Sequence, residues 1–249
     1  MNTFKSLQDP HIKKLRLLKD QDGPFEPTHF LVEGQHLVDH ALKAGVLESV
    51  YLLSNRPFPT EVKVFICEEH VLNALSNQKT PQGIIGLCRK VKSKQPLGNN
   101  IVYLDQINDP GNVGTILRSS LGLGMSTVIF SQKTANRYHP KVIASSQGAM
   151  FGLQLLEDDA NGKLIKQYQQ EGYHVVVTNL SSKAVPLEQY RFKEKNIIVV
   201  GNESHGVSPE ITAIANGEVT IPMKQIDSLN VAVAFAIIAY RCSQYKPAA

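Results

Sequence analysis

The stretch VTIPMKQIDSLNVAVAFAIIAYR, residues 219–241, decides the fold. It opens as a short apolar strand and crosses a polar loop containing Lys224, Gln225, Asp227 and Ser228. It closes in a helix made mostly of Ala, Val and Ile. From Leu229 to Ala239 only Asn230 is polar. A helix apolar nearly all round is expected to be covered on several sides, not along one stripe. Its start is polar and loop-rich, and free backbone N–H groups and the positive dipole end gather there, so a site is expected at that end. An ordinary core helix capped by Asp227 or Ser228 explains the apolar body equally well. It leaves Asn230, inside the expected first turn, without a role.

Outward from this stretch, Val- and Ile-rich strands alternate with helices from residue 101 onward. IVYLDQI, STVIFSQ, YHVVVTNL and NIIVVG read as strands. TILRSSLGLG, HPKVIASSQGAM and LIKQYQQEG read as helices, the first ended by Gly122 or Gly124 and the last by Gly172. SPEITAIA reads as a helix with Ser208 as N-cap and Pro209 at its first position. This order predicts an α/β fold: a mostly parallel sheet with helices on both faces and ligands beyond the carboxyl ends of its strands.

A smaller α/β unit of about 70 residues precedes it, in the order strand–helix–strand–strand–helix–strand. It runs through FLVEG, QHLVDHALKAG (closed by Gly45), ESVYLLS, VKVFICE, EEHVLNALS and TPQGIIGLCRKV. Glu33 sits at a strand end and reads as a structural carboxylate. Before this unit lies a basic amphipathic helix with Asp9 as cap and Pro10 at its first position, followed by the turn-rich residues 20–29. KSKQPLGNN, residues 92–100, reads as the linker, giving domains 1–93 and 99–249.

Composition narrows the function. The longest apolar run, residues 231–240, is about half the roughly 20 residues that a membrane helix needs. No membrane is therefore expected, and the N-terminus has no signal-type apolar segment, so the expected location is the cytoplasm. Cys67, Cys88 and Cys242 are widely spaced, with no CxxC pair, and no metal is expected. The 26 basic against 22 acidic residues leave a net charge of +4, compatible with a nucleic-acid partner.

Three polar loops follow strands: residues 108–114 (NDPGNVG, with Arg118 beyond), residues 201–206 (GNESHG), and residues 224–230. In a parallel sheet all three share one edge. They bring an Arg, a Glu, Asn side chains, a Ser and glycines that let backbone approach a ligand. A dinucleotide site fits poorly, because no G-x-G-x-x-G follows a strand. Walker and G-x-S-x-G sequences are also missing.

The segments DPGNVGTILRSSLGLG, VVGNESHGVS and IPMKQIDSLNVAVAFAI resemble, in order and spacing, the three motifs of the SpoU (TrmH-like) RNA ribose 2′-O-methyltransferases of the SPOUT superfamily. FLVEGQHLVDHAL and TPQGIIG resemble the L30e-like substrate-binding domain of such enzymes. The resemblance implies a C-terminal trefoil knot and S-adenosyl-L-methionine as methyl donor. Its partners would be RNA, ribosomal ahead of transfer RNA and not DNA, and a second copy of the chain held through the C-terminal helix. It assigns catalysis to Arg118, Asn112, Glu203, Ser228 and Asn230. It assigns the donor to Thr178, Asn179, Leu180, Gly201, Asn202, Gly206, Ile221, Met223 and Leu229. A guanidinium stays protonated at ordinary pH, so Arg118 is expected to bind phosphate and stabilise a developing alkoxide. Arg137, His139 and Lys141 are further candidates to face RNA. The competing reading on the same fold is a non-catalytic RNA-binding or ribosome-assembly protein.

Overall fold

The computed structural model describes residues 3–20, 28–54, 58, 61–90, 97–158, 162–226 and 228–245. Residues 92–96 of the expected linker, most of the turn-rich stretch 20–29, and Asp227 lie outside them. The chain divides into two compact units. One is Met1–Lys92 with Tyr138–Phe151, and the other is Ser93–Arg137 with Gly152–Ala249.

The first unit runs β1 (Thr3–Phe4), α1 (Pro10–Leu17), β2 (His29–Glu33), α2 (Gln35–Lys43), β3 (Leu47–Leu52), β4 (Lys63–Cys67), α3 (Glu69–Leu75) and β5 (Ile84–Arg89). Its sheet has the order β1-β4-β3-β5-β2 and is mixed: β3 and β4 are parallel, while β5 is antiparallel to both β3 and β2. Asp9 caps α1 by accepting from the N–H groups of His11 (2.8 Å) and Ile12 (3.4 Å). Pro10 occupies the first helical position, where its missing N–H costs nothing. Ile12 and Leu15 of α1 then pack with Leu72 and Leu75 of α3 over Tyr51 and Ile85.

Segment 138–151, sequence-wise a continuation of the C-terminal half, packs with the first unit. Its helix Pro140–Ser146, α5 in chain order, lies against the edge strand β2. Phe30 of β2 holds the ring of Tyr138 at 4.8 Å and that of Phe151 at 6.3 Å. An edge strand covered in this way is shielded from pairing with other chains.

The second unit contains β6 (Asn100–Asp105), α4 (Pro110–Gly122), β7 (Thr127–Ser131), β8 (Gln154–Asp158), α6 (Lys163–Gln170), β9 (His174–Thr178), β10 (Val185–Pro186), β11 (Asn196–Gly201), α7 (Pro209–Thr212), β12 (Gly217–Thr220) and α8 (Val231–Ser243). Its seven strands lie in the order β10-β12-β9-β11-β6-β7-β8, and every neighbouring pair is parallel. Alternate residues point to opposite faces. Ile101, Tyr103, Val175, Val177, Ile197 and Val199 form a core with Ile165 of α6 and Ile211 of α7. Val102, Leu104, Val176, Ile198 and Val200, on the other face, are equally buried, and α8 packs there against β11 and α4. Burial on both faces is why these strands read as unbroken Val/Ile runs.

The glycine stops fall where expected. Gly45, Gly124 and Gly172 all have positive φ, just past the ends of α2, α4 and α6. In each case the next N–H reaches back over the last turn, as Met125 does to the Ser120 carbonyl at 2.9 Å. Three strands were not foreseen: β1, β8 and β10.

Candidate functional site

Because the sheet is parallel, the carboxyl ends of β12, β9, β11 and β6 lie side by side along one edge, with Gly201 opposite Asp105 and Val219 opposite Thr178. The loop after β6 is shorter than expected. Residues 110–114 already form the first turns of α4, with Pro110 at the first position and Asp109 as cap, its carboxylate accepting the Asn112 N–H at 2.9 Å. The Gly-Pro content that reads as loop is tolerated there because a helix start needs no N–H from Pro. Asn112 is therefore not a cap, and its side chain is available to other loops.

The loop after β11 is fixed at several points by the end of β6. Asp105, buried at 3% exposure, accepts the Ser208 N–H at 2.7 Å. Gln106 has φ 60°, a left-handed conformation that costs a non-glycine residue about 1 kcal/mol. That geometry lets its N–H donate to Ser131 Oγ (2.9 Å) while its carbonyl accepts from Asn202 Nδ2 (2.8 Å). Asn202 Oδ1 in turn accepts from the N–H groups of Ser204 (2.9 Å) and His205 (3.2 Å). The Asn202 and Gly206 backbones exchange two bonds of 2.9 Å. At Gly201 a Cβ would fall onto the backbone of Gly206 and Val207, so no other residue fits without displacing that loop.

The third loop joins this assembly through Asn230. Asn230 is the N-cap of α8, not a residue inside its first turn, and its Oδ1 accepts from Ala232 N (2.9 Å) and Val233 N (3.3 Å). Its Nδ2 donates to Asn112 Oδ1 at 3.0 Å, and Asn112 Nδ2 donates to Glu203 Oε1 at 2.9 Å. The direction of this relay is forced: helix N–H groups can only donate and an ionised carboxylate can only accept, so both amides must face as they do. One residue from each of the three loops is thus joined in a single polar chain at the surface.

The other expected site residues are distributed around it. Gly201, Asn202 and Gly206 belong to the fixed loop, and the Asn202 side chain is fully engaged in holding it. Thr178 ends β9. Asn179 donates to Glu218 Oε2 at 2.9 Å, and Leu180 is 68% exposed. Ile221, Met223 and Leu229 are half-buried, and Ser228 is exposed. Arg118 is exposed and makes no hydrogen bond or ion pair with the described residues. It lies six residues past Asn112, about 9 Å along α4 and well around its circumference. Arg137 pairs with Glu157 and donates to the Leu155 carbonyl at 2.8 Å, while His139 and Lys141 belong to the first unit. Among the described residues no cluster of His, Cys, Asp and Glu could hold a metal, and no helix is long and apolar enough to cross a membrane.

Asp105 and Gln106 were not foreseen as parts of the site. Their only sequence signal is a polar pair closing an apolar strand. The hydroxyl of Tyr103, two residues before Asp105, donates to buried Asp158 at 3.2 Å. Burial first, then the carboxylates of Asp158 and Asp105, push its pKa well up, so it remains a donor.

A parallel α/β sheet with a polar site across three adjacent loops is the arrangement of α/β proteins that bind a ligand at the carboxyl ends of their strands. Comparison with known proteins makes the class specific. Residues 99–240 match the SpoU rRNA Methylase family, and the chain belongs to it. Residues 9–86 match the MRM3-like substrate binding domain. The chain is 27% identical to the 23S rRNA (guanosine(2553)-2′-O)-methyltransferase RlmP of Bacillus subtilis, over 96% of this chain and 98% of that one. It is 25% identical to human mitochondrial rRNA methyltransferase 3, over 92% of this chain and 69% of the relative. The AdoMet-bound rRNA methyltransferase of Sinorhizobium meliloti superposes with a TM-score of 0.85 at 25% identity, covering 97% of each chain.

Proposed function

We propose that the chain methylates the ribose 2′-hydroxyl of ribosomal RNA with S-adenosyl-L-methionine as donor. The observation that carries this reading is the relay Asn230–Asn112–Glu203, which ties the three motif loops into one site. The residues present fit the donor. Close backbone approach at Gly201, the half-buried side chains Ile221, Met223 and Leu229, and exposed Leu180 offer apolar walls beside backbone groups, as a purine and its ribose need. Thr178, Asn179 and the loop 201–206 complete that wall. Bound there, the donor supplies a sulfonium-activated methyl group, so the chain's own work is alignment and help in removing the hydroxyl proton.

On this reading Arg118 holds the target's phosphate and stabilises the oxygen as negative charge develops, the proton leaving to phosphate or water. Glu203, Asn112 and Asn230 order the loops around the nucleotide, with Ser228 beside Asn230. The first unit binds the RNA. The expected trefoil knot is inferred from membership of the SpoU family, whose model spans residues 99–240. Homodimerisation is supported by α8, whose Val233, Ile237 and Tyr240 are 49%, 39% and 59% exposed. The reading places the chain in the cytoplasm with its RNA.

The test offers purified protein labelled donor with unmodified ribosomal RNA and, separately, transfer RNA, and maps 2′-O-methylation in the product. Transfer to ribosomal RNA is expected. Transfer to neither pool with donor binding intact sinks the enzyme reading in favour of a binding protein. Arg118→Ala is expected to retain donor binding while transfer falls on the order of 100-fold or more, as when a transition-state donor is removed.

A further inference from the structure

A cleft in the first unit is lined by residues outside the three motif loops. At the end of β2 a cleft of about 460 Å³ opens between β2, the loop after α3 and the start of α5. That volume falls in the range of small-ligand sites, roughly 300–1,000 Å³. Its walls are apolar, with Leu31, Leu75, Ile85 and Ile143 among them, and its rim carries Lys19, Asn77, Gln78, His139 and Lys141.

The rim is braced. Glu33, the last residue of β2, accepts from Ser76 Oγ and from the Asn77 N–H, the latter at 3.0 Å. Gln78 N donates to Ser76 Oγ at 3.0 Å, and Gln78 Oε1 accepts from Gln82 Nε2 at 3.2 Å. The Gln82 amide lies directly over Gly34, whose φ of 95° favours glycine. Lys19 Nζ is held at the rim by the Ala74 carbonyl at 3.1 Å. FLVEG therefore lines the cleft, and Gln82 of TPQG braces Gln78 at its rim.

We propose that the cleft receives a single unpaired nucleotide of the RNA substrate, splayed out of its helix. Apolar walls suit the face of a base, amide and imidazole groups suit its hydrogen-bonding edge, and two lysines suit the flanking phosphates. A free anionic metabolite would leave the apolar walls unused, and a neutral apolar ligand would leave the lysines unused. Only a ligand with a flat apolar body and an attached phosphate uses both. The proposal rests on the RNA substrate argued above and adds the place and form of its recognition.

Binding of fluorescent ribosomal RNA fragments to the full chain, without methyl donor, keeps the test independent of catalysis. Ala144→Phe, which fills the cleft from α5, and Gln78→Ala are each expected to weaken binding about tenfold, the scale of losing one stacked base. Lys141→Glu, at an exposed position, is expected to lower the slope of log affinity against log salt by about 1. Fragments carrying 4-thiouridine at unpaired positions are expected to photocrosslink to residues 75–85 or 139–144. Unchanged affinity and salt slope in folded Lys141→Glu and Gln78→Ala proteins, with crosslinks confined elsewhere, overturns the proposal, including in favour of a protein side chain as occupant. Should wild-type protein bind RNA through this cleft yet transfer no methyl group, the enzyme reading fails while this site stands.

Discussion

Asn112 and Asn230 show how much one amide can carry. Asn230 both caps α8 and holds Asn112, so Asn230→Ala is expected to cost about 1 kcal/mol of stability, as loss of a cap does. Asn112→Ala removes two exposed bonds and is expected to cost less in stability, yet to reduce methyl transfer, because Glu203 loses its only amide partner among the described residues. Thermal melts and single-turnover assays on the two variants separate these effects. Histidine titration is a second residue-scale matter. His11 Nε2 pairs with the Tyr51 hydroxyl at 2.6 Å and His174 Nε2 with that of Tyr190 at 3.0 Å. Burial lowers both histidine pKa values below the usual 6.5, with Lys193 adding to the effect at His174. An unfolded histidine binds its proton at about 6.5. Between that pH and the lower folded value the unfolded chain holds more protons, so stability is full above about 6.5 and declines as pH falls through it. Urea unfolding at pH 7.5 and 5.5 checks this, and His174→Gln is expected to flatten the decline.

At the scale of elements, α8 is covered by its own chain along one face only. An all-apolar helix was expected to be covered on several sides, but in the single chain only Ala232, Phe235, Ile238, Ala239 and Cys242 are buried. The remaining apolar stripe faces outward, at the i, i+4, i+7 spacing of Val233, Ile237 and Tyr240. Ile237→Glu is expected to shift the chain from dimer to monomer in sedimentation velocity while leaving the fold intact, since Ile237 lies on the exposed stripe of α8. A monomeric wild type sinks the dimer. The end of β11 makes a different demand. Gly201→Ala is expected to reduce donor affinity tenfold or more by calorimetry, because the added methyl must displace the 206–207 backbone.

Over the whole molecule, each unit has its own buried core, and the buried cysteines report on them separately: Cys67 and Cys88 in the first unit, Cys242 in the second. Burial raises the thiol pKa of Cys67 and of Cys242 to about 12, and that of Cys88 further. All three are expected to resist alkylation in the native protein, because the thiolate is the reactive species. In a denaturant series with pulse alkylation, Cys67 and Cys88 should become reactive together, at a midpoint distinct from that of Cys242. One coincident midpoint would mean that the two cores unfold as one.

The sequence by itself determined the α/β class, most helix ends and the composition of the site. These depend on local chemistry: Pro at first positions, glycine just past helix ends, and Val/Ile runs buried on both faces. The three motif loops were legible for the same reason, since each follows a strand whose pattern is plain. Short edge strands were not legible, because the two residues of β1 or β10 contain no periodicity and the partly exposed β8 has no clean alternation. Only the tertiary structure decided that Asn230 caps α8 and reaches Asn112, 118 positions away in sequence. It alone showed that Asp105 and Gln106 fix the second loop, and that segment 138–151 packs with the first unit. Apart from the cap itself, each of these depends on hydrogen bonds or ring contacts between residues far apart along the chain, and such pairings leave no trace in local composition.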